Sequence, residues 1–271
     1  MNPTNPSMPD PSQPGEQLPP SMPEEELQAE NQTSRRVTLK PLAKTPLVTY
    51  ILLGLTVLMF AAQQLSLQIA KVDYPFVLLG KINELILQGQ LWRLFTPALL
   101  HSNVLHIAFN MYALYVFGTR LEPVYGHARF LMLYLLGAFG GNVLSFVLTP
   151  NPSLGSSTAI FALLAAEGML IWQNRQFFGG RARGMLINLG VVLGVNLMIG
   201  MTPGSNIDNF GHLGGIFAGF IFAGMAGPVW KLGRDENEIV VKDDRPTQDK
   251  WIGAILVFIG FSLMAAIPFF R

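Results

Sequence analysis

Residues 209–230 read NFGHLGGIFAGFIFAGMAGPVW, a stretch in which His212 is the sole titratable side chain. Spanning the hydrocarbon core of a bilayer takes roughly 20 mostly apolar helical residues, and this run meets that length. Gly211, Gly215 and Gly219 recur every fourth residue, so they share one helix face. Such a stripe of small residues lets a second helix backbone come close, which is how helices associate inside a membrane. The stretch therefore reads as a membrane helix that packs against protein along its glycine face.

Working outward, further apolar runs lie at about 47–67, 104–120, 129–148, 157–173, 184–201 and 251–270. Half of the 271 residues are hydrophobic and 13% are charged, against roughly 25% charged in an ordinary soluble domain. The fold class expected is an all-α polytopic membrane protein with seven spans. Six are clustered in a core over 47–230, and the seventh (251–271) follows a charged cytoplasmic linker at 231–250. Residues 1–46 are rich in Pro, Ser, Gln, Asn and Glu and are expected to form a disordered cytoplasmic tail, since they cannot bury enough apolar area to offset ordering entropy. The tail lacks a basic segment running into an apolar one and so does not read as a signal peptide. Net charge is +1 and cysteine is absent, so neither nucleic-acid binding nor thiolate chemistry is indicated. No Gly-rich phosphate loop follows a strand, and His and carboxylates are too scattered for a metal site; no cofactor is expected.

Orientation follows from Lys and Arg. With the N-terminus inside, the inner segments hold Arg35, Arg36, Lys40, Lys44, Arg120, Arg129, Arg175, Arg181, Arg183, Lys231, Arg234, Lys242, Arg245 and Lys250. The outer ones hold Lys71, Lys81, Arg93 and Arg271. This bias sets a cytoplasmic N-terminus and an outside C-terminus, in a membrane expected to be of the bacterial cell-membrane type. The stretch 68–103 is then an outer loop, apolar but interrupted, expected to be part-helical and to lie in the interface.

Polar groups inside a membrane are expensive, which makes them functional candidates. The second span carries His106 and Asn110, four residues apart on one face, in its outer half. The fourth span opens at Ser157 and the sixth places His212 in its first turn, both at the outer end. Four polar residues from three helices thus share one depth. A serine hydroxyl becomes a useful nucleophile when a histidine takes its proton, and attack on a peptide carbonyl creates an oxyanion that needs aimed donors. The Ser157 amide at a helix N-terminus, His106 and Asn110 are the candidate donors. The glycine stripe is expected to face Ala162 and Ala166 of the fourth span, bringing His212 to Ser157.

These residues resemble the rhomboid family of intramembrane serine proteases. The resemblance covers roughly 47–230. It rests on Trp92-Arg93, His106-x-x-x-Asn110, Glu122-x-x-x-Gly126, Gly155-Ser156-Ser157 and His212-x-x-Gly215-x-x-x-Gly219, in order and on the expected helices. It implies a rhomboid-like six-helix core plus one C-terminal helix and a Ser–His dyad without a third acid. It also implies cleavage of transmembrane protein substrates within the lipid bilayer. On this pattern Ser157 is the nucleophile and His212 the general base, with His106, Asn110 and the Ser157 amide as the oxyanion site. Thr158 departs from the family's usual glycine after the serine.

Other readings stand beside these. Ser157 alone is an ordinary helix cap, and Asn110 serves equally as an interhelical hydrogen bonder. Ser156 is a rival nucleophile. Asp208, four residues before His212, is a loop-edge carboxylate or a triad acid. Glu167 lies about three turns inward from Ser157 and reads as a paired or snorkelling acid; His101 reads as a loop-boundary residue and His127 as a surface one. A rhomboid-like binding protein that holds membrane clients without cutting them is the alternative function, supported by Thr158. A small transporter is a third reading, which would require an inverted repeat the sequence lacks.

Overall fold

In the computed structural model, residues 37–39, 42, 45–235 and 238–270 are described. Seven long helices follow in chain order among the described residues: α1 (Leu47–Ala70), α4 (Val104–Tyr125), α5 (His127–Leu148), α6 (Ser157–Gln173), α8 (Arg181–Gly200), α9 (Asn209–Ala226) and α10 (Thr247–Ala266). Short helices α2 (Tyr74–Leu79), α3 (Asn83–Leu87) and α7 (Arg175–Phe178) lie in the connections. Five of the long helices (α1, α5, α8, α9 and α10 with its 3-10 extension) are long and apolar enough to cross a membrane. The other two, α4 and α6, hold His106, Asn110 and Ser157. Polar content lowers the apolar signal of α4, and α6 is short at 17 residues.

The boundaries follow local chemistry. The Asn103 side chain caps α4 by accepting from the His106 amide at 2.9 Å, and Asp208 caps α9 by accepting from the Gly211 amide at 2.8 Å. Gly227 and Pro228 end α9 four residues before the sequence pattern does, because proline cannot continue a helix. By contrast, α4 runs to Tyr125, beyond the expected Arg120. Its charges there are neutralised internally, Arg120 by Glu167, and Glu122 by the start of another helix. The fully buried Glu122 carboxylate accepts from the amides of Val48 and Thr49, both at 2.8 Å, and from the Thr49 hydroxyl at 2.6 Å. The N-terminus of α1 therefore takes its cap from α4.

The core is a three-helix contact of α5, α6 and α9, with α10 packed outside α5 and α9. It is built on close backbone approach. A Cβ on Gly215 would stand 2.1 Å from the Thr158 carbonyl oxygen, and one on Gly219 would stand 2.4 Å from that of Ala162. The glycine stripe thus faces α6, as its spacing predicts, but at Thr158 and Ala162, one turn nearer Ser157 than the expected Ala162 and Ala166. Around it Leu163, Phe130 and Phe222 are wholly buried.

The connection over 68–103 is part-helical, as expected, through α2, α3 and two 3-10 turns. Buried Arg93 organises it, donating to the carbonyls of Gly80 and Val77, each at 2.7 Å. Lys81, also buried, donates to the Asn151 carbonyl at 2.8 Å and ties the loop to the segment before α6. Burial lowers the Lys81 ammonium to about 8, with Asp208 and Glu84 partly opposing.

Two expectations need correction. The last helix is expected from 251, but α10 already begins at Thr247, and the charged stretch before it holds β2 (Trp230–Asp235) and β3 (Glu238–Asp243) as an antiparallel hairpin. Its anchor is a buried ion pair, Arg129 to Asp243 at 2.7 Å. The tail expected over 1–46 falls mostly outside the described residues, but β1 (Val37–Leu39) is a strand there and pairs in parallel with β3. The sheet order is β1-β3-β2.

Candidate active site

Ser157 is the first residue of α6. The chain reaches it through Gly155 at φ +127, a conformation that a side chain strains against. Gly155 donates its amide to the Pro97 carbonyl at 2.9 Å, which fixes the turn against the 68–103 connection. A Cβ here would stand 2.8 Å from His106 Nε2 and 3.7 Å from Ser157 Oγ, so both groups face the bare Cα of Gly155.

His212, in the first turn of α9, is buried, and its Nε2 lies 2.9 Å from Ser157 Oγ. Close packing of α6 on α9 makes this distance possible. The ring rests on Phe161, one turn below Ser157, with centroids 4.1 Å apart and planes 14° from parallel. Its Nδ1 has no hydrogen-bond partner among the described residues. Asp208 does not serve it: one carboxylate oxygen caps Gly211 and the other accepts from the Ser145 hydroxyl. Ser157 Oγ and His212 Nε2 thus face each other with no carboxylate on the far ring nitrogen among the described residues.

His106 is half-buried beside this pair. Its Nδ1 receives the Ser102 amide at 3.4 Å and lies 3.1 Å from the Ser102 hydroxyl. A backbone N–H can only donate, so Nδ1 is the acceptor and Nε2 carries the proton on the side facing Gly155. Asn110 is buried on the same helix face and donates through Nδ2 to the His106 carbonyl at 3.0 Å, leaving its second N–H available. The Ser157 amide, in the first turn of α6, has no intrahelical acceptor by position. The His106 Nε2–H thus faces Gly155 beside the serine, and Asn110 sits one turn further along α4.

His101 is the residue whose place the sequence does not reveal. It is buried, with Nε2 3.3 Å from Ser156 Oγ and its amide donating to Gln63 Oε1 at 3.0 Å. Its ring meets His106 edge-on at 4.9 Å. Burial, reinforced by His106, lowers its imidazole to about 3, so it is neutral at physiological pH. Ser156 faces this inner histidine and is fully buried, while Ser157 is partly open. Thr158 also points inward: a Cβ on Gly141 would lie 2.5 Å from Thr158 Cβ, and one on Gly211 3.1 Å from its methyl. The side chain thus fills the α5–α6–α9 contact and leaves the face of Ser157 clear. Away from the site, Glu167 is paired with Arg120, and half-exposed His127 lies 2.5 Å from Glu122. Among the described residues no cluster of His, Asp or Glu could hold a metal.

The rhomboid domain family model matches residues 88–228, a little over half of the chain and all four candidate polar residues. The chain is 40% identical to Rhomboid protease GluP of Bacillus subtilis (strain 168) over 182 residues, 67% of this chain and 35% of that protein. It is 33% identical to RHOMBOID-like protein 9, chloroplastic, of Arabidopsis thaliana over 168 residues, 62% of this chain and 38% of that one. It is 40% identical to Rhomboid-like protease 3 of Toxoplasma gondii over 134 residues, 48% of this chain and 49% of the other. The chain spans between about a third and a half of the length of these relatives. The resemblance carried by the five motifs holds at the level of the whole domain, and this integral multi-pass membrane protein belongs to the rhomboid family.

Proposed function

We propose that the chain is an intramembrane serine endopeptidase that hydrolyses peptide bonds of transmembrane proteins near the outer membrane interface. The 2.9 Å approach of His212 Nε2 to Ser157 Oγ carries this reading. His212 removes the Ser157 hydroxyl proton as Oγ attacks the substrate carbonyl carbon. The negative charge that develops on the carbonyl oxygen is met by the Ser157 amide, the His106 Nε2–H and the free N–H of Asn110. As the C–N bond breaks, protonated His212 gives its proton to the leaving amine, and an acyl ester remains on Ser157. Water then attacks the ester as His212 takes its proton, and when the acyl C–O bond breaks His212 returns that proton to Ser157 Oγ.

A membrane helix hides its carbonyls in internal hydrogen bonds, so a substrate must unwind locally before it is cut. Substrates with small or helix-breaking residues near the cleavage point fit this requirement. The Lys and Arg bias supports a cytoplasmic N-terminus and an outside C-terminus, which puts Ser157 at the outer end. Residues 47–230 are the catalytic core in this reading, with α10 as an added outer helix.

The detergent-solubilised protein is to be incubated with a transmembrane substrate beside its Ser157→Ala and His212→Ala variants. Cleavage by the parent chain alone is expected; equal cleavage by all three removes the assignment. The alternative of a non-cutting client-binding protein rests on Thr158, whose inward packing takes away its steric basis. Covalent labelling by a fluorophosphonate, lost in Ser157→Ala, separates the two.

A further inference from the structure

At the end of the bundle remote from Ser157, the C-terminus of α6, the short α7 and the first turns of α8 line an open crevice of about 810 Å³. Arg175 and Arg183 line it together with Trp172, Ala182, Leu186 and Ile187. The chain reverses into α8 at Gly179, φ +54, so both arginines come to one mouth. The crevice lining contains no carboxylate, and the sequence has none between Glu167 and Asp208. Among the described residues neither arginine forms an ion pair with the crevice or its neighbours. Arg175 instead lies over the Trp172 ring, 5.1 Å from its centroid, and donates to the Trp172 carbonyl at 3.2 Å. Trp172 and Ile187 are each more than half exposed.

A site of this kind has two chemistries in sequence. Its mouth is a cationic fork and its wall is apolar, in a protein whose surroundings at that depth are lipid. The size falls within the range of small-molecule sites, roughly 300–1,000 Å³. A soluble anion matches only the mouth, and a neutral lipid only the wall. A basic pocket between membrane helices at the positively charged end suits an anionic headgroup. We propose that this crevice binds an anionic phospholipid. The phosphate sits between Arg175 and Arg183, and an acyl chain runs along Trp172, Leu186 and Ile187. The inference needs only the membrane placement of the chain and is independent of the peptidase reading.

The test uses the full chain in phosphatidylcholine vesicles, titrated with dibrominated phosphatidylglycerol or dibrominated phosphatidylcholine. Bromine quenches tryptophan at short range, so binding beside Trp172 is read directly. Saturable quenching by the anionic lipid is expected at a mole fraction on the order of tenfold below that needed for the neutral one. Trp172→Phe must remove this component, and Arg175→Gln/Arg183→Gln must reduce it to the neutral-lipid level. Arg181→Gln, a neighbouring arginine outside the lining, must leave it intact. Ile187→Glu keeps both arginines and must weaken the component, a second route should the double variant not fold. Equal quenching by the two lipids, or an unchanged preference in the double variant, overturns the proposal. Loss of the quenching on adding inorganic phosphate at constant ionic strength also overturns it, in favour of a soluble-anion site.

Discussion

The imidazole of His212 lies flat on the phenyl ring of Phe161, which stands one turn below Ser157 on the same helix. One helix therefore carries Ser157 and also the surface on which His212 rests. With Nδ1 unpartnered, this stacking orients the imidazole where a carboxylate does so in a triad. An aromatic pair is worth about 0.5–1.5 kcal/mol beyond its buried area. Phe161→Leu, which keeps most of the volume, is expected to slow fluorophosphonate labelling of Ser157 by about two- to tenfold. The unfolding temperature should move little, and an unchanged labelling rate removes the orienting role.

Asp208 gives the complementary case. If it acted as a triad acid, its amide variant would lose about 10⁴ in turnover. As the cap of α9 its removal costs about 1 kcal/mol of stability. Asp208→Asn is expected to keep peptidase activity within about tenfold, since the amide oxygen still accepts from Gly211. Turnover measured beside a thermal melt distinguishes the two roles.

Gly215 allows no side chain, since its Cβ would overlap the Thr158 carbonyl. Gly215→Ala must push α9 away from α6, at about 1–3 kcal/mol for overpacking. The same displacement separates His212 from Ser157. Labelling is expected to fall by more than tenfold even at temperatures where the variant is folded. A folded variant with the parent's labelling rate contradicts the coupling of packing to the dyad.

Thr158 tests a finer point. Its hydroxyl is buried without a partner among the described residues, while its methyl packs near Gly211. A buried unpaired hydroxyl costs roughly 1–3 kcal/mol, so Thr158→Val is expected to leave the melting temperature unchanged or raised. Activity should persist, because the side chain points away from the open face of Ser157. A large loss of either kind would show that the hydroxyl has a role in the site.

The connection over 68–103 supplies a pH dependence. Lys81 is lowered from 10.5 to about 8 by burial, so between those values the folded side chain is neutral while the unfolded one is charged. The unfolded state then binds more protons, and this group makes stability rise with pH over about 8 to 10.5. Comparing thermal melts of the parent and Lys81→Met across that range isolates the effect. The difference between the two should grow in the parent's favour as pH increases; a constant difference means Lys81 does not titrate there.

Much of this was readable beforehand, for a specific reason. In a bilayer, span length and glycine spacing are dictated by thickness and backbone approach, so the seven helices and the α6–α9 contact follow from counting. Depth along each span then gathers Ser157, His212, His106 and Asn110 without knowledge of the packing. His101 escapes this logic because it lies in a loop, and its burial depends on Gln63 from α1. The hairpin escapes it as well. Trp230–Asp235 and Glu238–Asp243 are charged and alternate weakly, and their anchor, Arg129, is remote in sequence. Thr158 could be flagged from its neighbours, but only the bare Cα of Gly141 explains where its bulk goes.

The parallel pairing of β1 with β3 also bears on the order of biogenesis. Val37 is synthesised before any span and its partner Ile239 after the sixth. During translation the early strand has no register to join until α9 has entered the membrane. The sheet is thus a late seal, whose closure reports that the intervening helices have all been threaded.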